Sequence, residues 1–220
     1  MGDGSSNIIN GDSFKYDGNF PANVFLLNPP YSADGKGFNF VESALSQMHD
    51  GYACILIQEN AGSGNGLPYT ERILKNNTLQ ASIHMGDIFC GKASVQTAIY
   101  VFKVNRPHEE DDIVTFIDFS NDGYSRQNRK KSSQEVNLKD TDHAVDRYAE
   151  IEAIVLGKKP KTNYYTEENG LVIRDTVSLK GNDWTYAQHK KLDLTPTEED
   201  FKKTVADFLA WKVSQAMKEG

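Results

Sequence analysis

The stretch Val24-Phe25-Leu26-Leu27-Asn28-Pro29-Pro30-Tyr31 (VFLLNPPY, residues 24–31) runs four apolar residues into a stiff polar turn. A short apolar run bounded by turn residues predicts a strand buried on both faces, the pattern of a parallel sheet. Open α/β sheets bind ligands outside the carboxyl ends of their strands, so Asn28, Pro29, Pro30 and Tyr31 stand where a site is expected. The two prolines fix φ and hold the flanking side chains and carbonyls in place.

Outward from this turn the same grammar repeats. Residues 52–58 (YACILIQ), 81–85 (ASIHM) and 96–104 (QTAIYVFKV) are further buried-strand candidates. Phe38, Val41, Ala44, Leu45 and Met48 recur at helical spacing ahead of the His49-Asp50-Gly51 stop, and a second helix is expected over residues 69–76. Strand, helix, strand on this scale is a right-handed parallel crossover. The fold class is therefore α/β, the later part of a doubly wound, mostly parallel sheet, with a helical C-terminal extension.

The character changes after Val104, where Pro107 and the acidic run Glu109 to Asp112 precede the strand-like IVTFIDF at 113–119 and a polar stretch. The expected division is a partial catalytic domain over 1–106 and an extension over 107–220. Within the extension, 142–156 reads as a helix closed by Gly157 and Pro160, and a polar, β-leaning segment carries Trp184. Thr195-Pro196-Thr197-Glu198 supplies a capping threonine with proline at the first helical position. A terminal helix should start there, its apolar stripe being Phe201, Val205, Phe208, Leu209, Val213 and Met217.

The 220 residues are 38% hydrophobic, enough for the core of one domain with an appendage. No apolar run approaches the roughly 20 residues of a membrane span, and MGDGSSN lacks the features of a signal peptide, so a cytoplasmic protein is expected. Cys54 and Cys90 sit in apolar sequence, and the histidines show no metal-ligand spacing; no metal site is expected. A net charge of −7 argues against a protein that grips a nucleic acid with its own surface alone. Local basic clusters occur at Arg126, Arg129, Lys130 and Lys131, and at Lys158, Lys159 and Lys161.

In its Asn-Pro-Pro-Tyr turn after an apolar strand, the chain resembles the gamma-arranged adenine-N6 DNA methyltransferases. INGDSF (9–14) is similar to the family's preceding strand end, which implies that Asp12 and Phe14 bind S-adenosylmethionine, Asp12 near its adenine. FNFVESALSQMHDGYACILIQEN (38–60) is similar to the next helix and strand. GDIFCGKASVQTAIYVFKV (86–104) is similar to the stretch in which a phenylalanine, here Phe89, stacks on a flipped base. The tail DWTYAQHKKLDLTPTEEDFKKTVADFLAWKVS (183–214) resembles the C-terminal ends of type I methylation subunits. The resemblance implies a sheet of the S-adenosylmethionine-dependent methyltransferase type. As partners it implies double-stranded DNA and the specificity and restriction subunits of a type I restriction-modification system.

The chemistry suits these residues. The lone pair of adenine's exocyclic amine is delocalised into the ring, so an enzyme must accept its two hydrogens and favour a tetrahedral nitrogen. The Asn28 side-chain oxygen and the Pro29 carbonyl are two such acceptors, and Tyr31 offers a flat face to a base swung out of the duplex. Two features depart from the family. The aromatic-x-Gly-x-Gly cofactor turn that the family places upstream is absent, so the chain reads as N-terminally truncated and is expected, alone, to bind S-adenosylmethionine weakly or not at all and to methylate nothing. Ala61-Gly62-Ser63-Gly64-Asn65-Gly66 follows a strand but is read as a flexible loop near the substrate mouth. The residues leave open a non-catalytic assembly piece that binds a specificity subunit, and an N-methyltransferase of RNA or of protein glutamine.

Overall fold

A computed structural model describes residues 10–16, 22–89, 95–126, 138–191 and 196–219. In chain order the elements are β1 (Val24–Leu27), α1 (Phe38–Leu45), β2 (Tyr52–Gln58), α2 (Tyr69–Leu74), β3 (Thr78–Met85), β4 (Thr97–Lys103) and β5 (Val114–Phe119). The short β6 (Tyr124–Arg126) and β7 (Leu138–Asp140), α3 (Ala144–Val155), β8 (Val172–Asp175), α4 (Tyr186–His189) and α5 (Glu198–Glu219) complete the chain.

Six strands form one mixed sheet in the order β1-β2-β4-β3-β5-β8, and β6 pairs with β7 alone. β1 runs parallel to β2 and β3 parallel to β5, while β4 lies antiparallel between β2 and β3, and β8 antiparallel on the far edge. Four of the six strands therefore end at one rim, as the doubly wound reading requires. The sheet flanked by helices is the α/β class that the sequence predicts.

Alternation along the strands divides the core in two. Ile55, Ile57, Ala98, Tyr100 and Phe102 share one core with Phe38 and Val41 of α1 and Ile73 and Leu74 of α2, and Phe116 of β5 belongs to it, stacked on His189 of α4. Ile83, Met85, Ile117 and Phe119 face the opposite way, with Ile151 of α3. β1 departs from the expectation of burial on both faces. Phe25 and Leu27 pack on the core, but Val24 and Leu26 are 64% and 74% exposed, because β1 is an edge strand among the described residues.

The division expected after residue 106 is not where the chain divides. β5 and β8 extend the same sheet, and the compact unit runs to Lys190, with a second unit from Lys191 onward. Trp184 shows why. Its indole is fully buried edge-on against Phe38, Tyr100 and Phe102 at 5.5, 5.6 and 5.7 Å. Its backbone N–H donates to the Gly62 carbonyl at 3.1 Å, and Ser82 Oγ donates to its carbonyl at 2.5 Å. A residue far downstream of the change in composition thus completes the core begun by α1.

α5 forms the expected terminal helix with a different cap. Thr197 Oγ1 accepts from Asp200 N at 3.1 Å while Asp200 Oδ2 accepts from Thr197 N at 3.0 Å, a reciprocal box three residues apart. Thr195, the cap expected from the sequence, lies outside the described residues, and Pro196 precedes the helix. A carboxylate three residues after Thr197 is the spacing such a box needs. The six stripe residues are exposed, as is Trp211.

Truncating Trp184 to alanine should cost about 3–5 kcal/mol, the scale of removing a buried aromatic side chain. Urea unfolding followed by circular dichroism should show one transition that includes β5 and β8. A loss below about 1 kcal/mol, or separate unfolding of residues 107–190, would contradict this account of the core.

Candidate active site at the carboxyl rim

Because β1, β2, β3 and β5 point the same way, Asn28, Glu59, the segment from Gly86 to Phe89, and Ser120 emerge at one rim of the sheet. Asn28 is the first residue past β1 and is exposed, and its side chain makes no hydrogen bond among the described residues. Pro29 is buried. Its ring meets the backbone of Gly37, which adopts φ +101°; a Cβ there would stand 2.9 Å from Pro29 Cγ and 3.1 Å from the Pro30 carbonyl oxygen. Only glycine combines that conformation with that approach.

The loop between is fixed from the other side by α2. Tyr69 Oη donates to the Asp34 carboxylate, and the Tyr69 ring lies where a Cβ on Gly35 would fall. The hydrogen bond to Asp34 raises the Tyr69 pKa. The Arg72 guanidinium stacks over the Tyr69 ring at 4.6 Å and grips Glu42 of α1 with two hydrogen bonds of 2.6 and 2.9 Å.

The structure brings the two predicted stacking residues together. The Tyr31 and Phe89 rings lie 6.2 Å apart at 73°, edge to face, although a long stretch of chain separates them. The Phe89 segment turns through a hydrogen bond from its own N–H to Asp87 Oδ1 at 3.2 Å. Tyr31 Oη is buried with no hydrogen-bond partner among the described residues, and burial raises its pKa.

Asp12 and Phe14 lie against α1. Asp12 Oδ1 accepts the Phe14 N–H at 3.0 Å, and the Phe14 ring packs on Phe40 of α1 at 4.5 Å. Phe14 walls a groove of about 720 Å³ between α1 and α2, together with Asn39, Glu42, Tyr69 and Arg72. Asn39 Oδ1 is buried without a partner among the described residues.

Residues 61–66 are not the flexible loop expected. Gly62 lies against the Tyr100 hydroxyl, where a Cβ would stand at 2.2 Å, and Gly66 lies against Phe38 at 2.6 Å. The N–H groups of Gly62, Ser63, Gly66 and Leu67 donate to the carbonyls of Glu59, Asn60, Ala61 and Gly64, so they are not presented to a phosphate. These glycines serve close packing.

One feature of the rim has no signal in the local sequence. His84 Nδ1 lies 2.8 Å from Glu59 Oε1, and both side chains are largely buried. The two are 25 positions apart, and only the strand order β2-β4-β3 makes them neighbours. Among the described residues no group of three or more His, Cys, Asp or Glu stands together to hold a metal ion, and no helix is long and apolar enough to cross a membrane. Of the basic clusters, Arg126 is committed to Asp122, Arg129, Lys130 and Lys131 lie outside the described residues, and Lys158, Lys159 and Lys161 are exposed.

Comparison with known proteins places these features in a family context. The profile of the family described as N-6 DNA Methylase matches residues 29–167. A curated relative, the type II restriction enzyme and methyltransferase RM.BcgI of Heyndrickxia coagulans, is 26% identical over 228 residues, covering 96% of this chain and 33% of that protein. The chain thus spans about a third of the length of the curated relative it matches. Among solved structures, the methyltransferase subunit of a type I restriction-modification system from Streptococcus thermophilus matches with a TM-score of 0.51 at 12% identity, over 83% of this chain and 42% of that one. The M protein of the type I restriction enzyme EcoKI matches with a TM-score of 0.50 at 15% identity, over 93% and 51%.

The unpartnered Tyr31 hydroxyl gives a direct test of the site's geometry. Tyr31→Phe removes a buried polar group that makes no hydrogen bond and should raise stability by about 1 kcal/mol while keeping the edge-to-face contact. Chemical denaturation measures it, and a loss of about 1 kcal/mol or more would mean that the hydroxyl is bonded.

Proposed function

The chain belongs to the N-6 DNA methylase family, and from that membership we propose that it carries the base-binding part of an adenine-N6 DNA methyltransferase of a restriction-modification system. The observation that carries this reading is the rim itself: an exposed Asn28 whose carboxamide is unbonded among the described residues, seated on the Pro29–Gly37 contact, with the paired rings of Tyr31 and Phe89. In this reading Asn28 Oδ1 and the Pro29 carbonyl accept the two hydrogens of the adenine amine and withdraw its lone pair from the ring. Tyr31 and Phe89 give the extruded base its stacking faces, each contributing about 1–3 kcal/mol.

S-adenosylmethionine, when bound, supplies an electrophilic methyl group on a sulfonium. Asp12 and Phe14 would hold its adenosine half: a carboxylate and an aromatic face stand beside the groove between α1 and α2. Those groups fit a flat ring that carries an amine.

DNA ranks ahead of RNA or protein as substrate because the matched family is one of DNA methylases and the curated relative is a restriction enzyme. Assembly with specificity and restriction subunits is supported by the net charge of −7, which leaves phosphate binding to other surfaces. The exposed apolar stripe of α5 supports it too, as a docking helix. The type I assignment rests on the resemblance of the C-terminal sequence.

Asn28→Ala should lower single-turnover methyl transfer about a hundredfold or more in a methylation-competent protein carrying this chain, the scale of losing one preorganised polar contact. Folding should be unchanged within about 0.5 kcal/mol, since the side chain is exposed. Transfer of labelled methyl groups at near-parental rates would remove Asn28 from the mechanism.

A further inference from the structure

The Glu59–His84 contact takes an unusual path. β4 runs between β2 and β3, so a side chain at the end of β2 reaches one near the end of β3 only by crossing over β4. Ala98 is the β4 residue registered with both Ile57 and His84, and it is fully buried. Its methyl group leaves room for the carboxylate and the imidazole to meet above it.

Both partners are anchored. Glu59 N donates to the Gln96 carbonyl at 3.0 Å, and the Glu59 carbonyl accepts from Tyr100 Oη at 2.9 Å. His84 is registered beside Asp118 on β5, and its ring faces that of Tyr186 in α4 at 6.3 Å. The groups facing His84 are thus Glu59, Asp118 and Tyr186. Two of them are carboxylates, and none is basic. The hydrogen bond to Glu59, with the charges of Glu59 and Asp118, outweighs burial and raises the His84 pKa.

The residues after His84 give the contact its meaning. Met85 ends β3, and Gly86 passes so near the Ser120 carbonyl that a Cβ would stand 2.5 Å from its oxygen. Phe89 comes soon after, its ring against Tyr31. Gln96 Nε2 donates to the Met85 carbonyl, tying the start of β4 to the same point. The strand end that launches Phe89 is therefore held from the β2 side by one side-chain pair.

We propose that Glu59 and His84 are positioning residues for base capture: their contact across β4 sets where the Phe89 segment leaves the sheet, and so sets the Tyr31–Phe89 pair. The link to base capture rests on the reading of the rim given above; the positioning itself does not. The contact is strongest with His84 protonated, and because its pKa is raised, it persists through the ordinary imidazole range and weakens as pH rises past the raised value.

Two measurements on separate footings test this. In the chain itself, nuclear Overhauser effects between the Tyr31 and Phe89 rings should vanish in Glu59→Gln and His84→Ala and persist in His84→Arg, whose charge is permanent. The His84 ring should titrate above about 6.5, and in Glu59→Gln that midpoint should fall toward about 6.5. In a methylation-competent protein carrying the chain, Glu59→Gln should lower methyl transfer about tenfold, less than the loss of a preorganised group that touches the reacting atoms. The parent's decline at high pH should disappear in His84→Arg. Ring-to-ring signals that survive in both Glu59→Gln and His84→Ala, with an unchanged His84 midpoint, overturn the positioning role whatever the substrate. If those signals vanish as expected but the parent fails to methylate DNA, the reading of the rim is overturned instead.

Discussion

The rim depends on one close approach, that of the Gly37 backbone to Pro29 and Pro30. The Asn28 side chain is exposed and unbonded among the described residues, so its carboxamide is aimed only through the backbone that carries it. That backbone is held because Pro29 is locked in φ, buried, and backed by a residue without a Cβ. Tyr69 and Asp34 close the loop from α2, and the Glu42–Arg72 pair fixes α2 to α1. An exposed polar group is thus preorganised by apolar packing behind it, so the entropy of ordering a free loop is met on folding.

The range of the forces involved decides how much of this is legible in the sequence. β1, α1, β2 and α2 are legible because apolar periodicity and turn residues are local signals, and α1 begins at Phe38 as its spacing predicts. Asn28 through Tyr31 are legible for the same reason. The antiparallel insertion of β4 is not, since strand order is a matter of long-range pairing. Everything that hangs on that insertion, including the Glu59–His84 contact, is hidden with it. The division at 106 fails because a local change to polar residues says nothing of whether Trp184, far downstream, returns to the core. The expectation of a flexible loop at 61–66 fails because glycine is chosen for freedom in some loops and for closeness in others, and only the neighbours of Gly62 and Gly66 decide.

The electrostatics divide the labour in the same direction. Arg126, Arg147 and Arg72 are each committed to carboxylates within the fold, to Asp122, Asp142 and Glu42. A chain of net charge −7 that commits these guanidinium groups internally leaves them little reach for an external anion. Exposed apolar residues stand on β1 and on α5, each in its own unit.

The central claim is that this rim acts on the amine of adenine in DNA. Nucleoside mass spectrometry of duplex DNA, incubated with S-adenosylmethionine and a methylation-competent protein carrying this chain, tests it most directly. The account predicts N6-methyladenine as the product. N4-methylcytosine, or label found on protein or RNA with none on DNA, would contradict it.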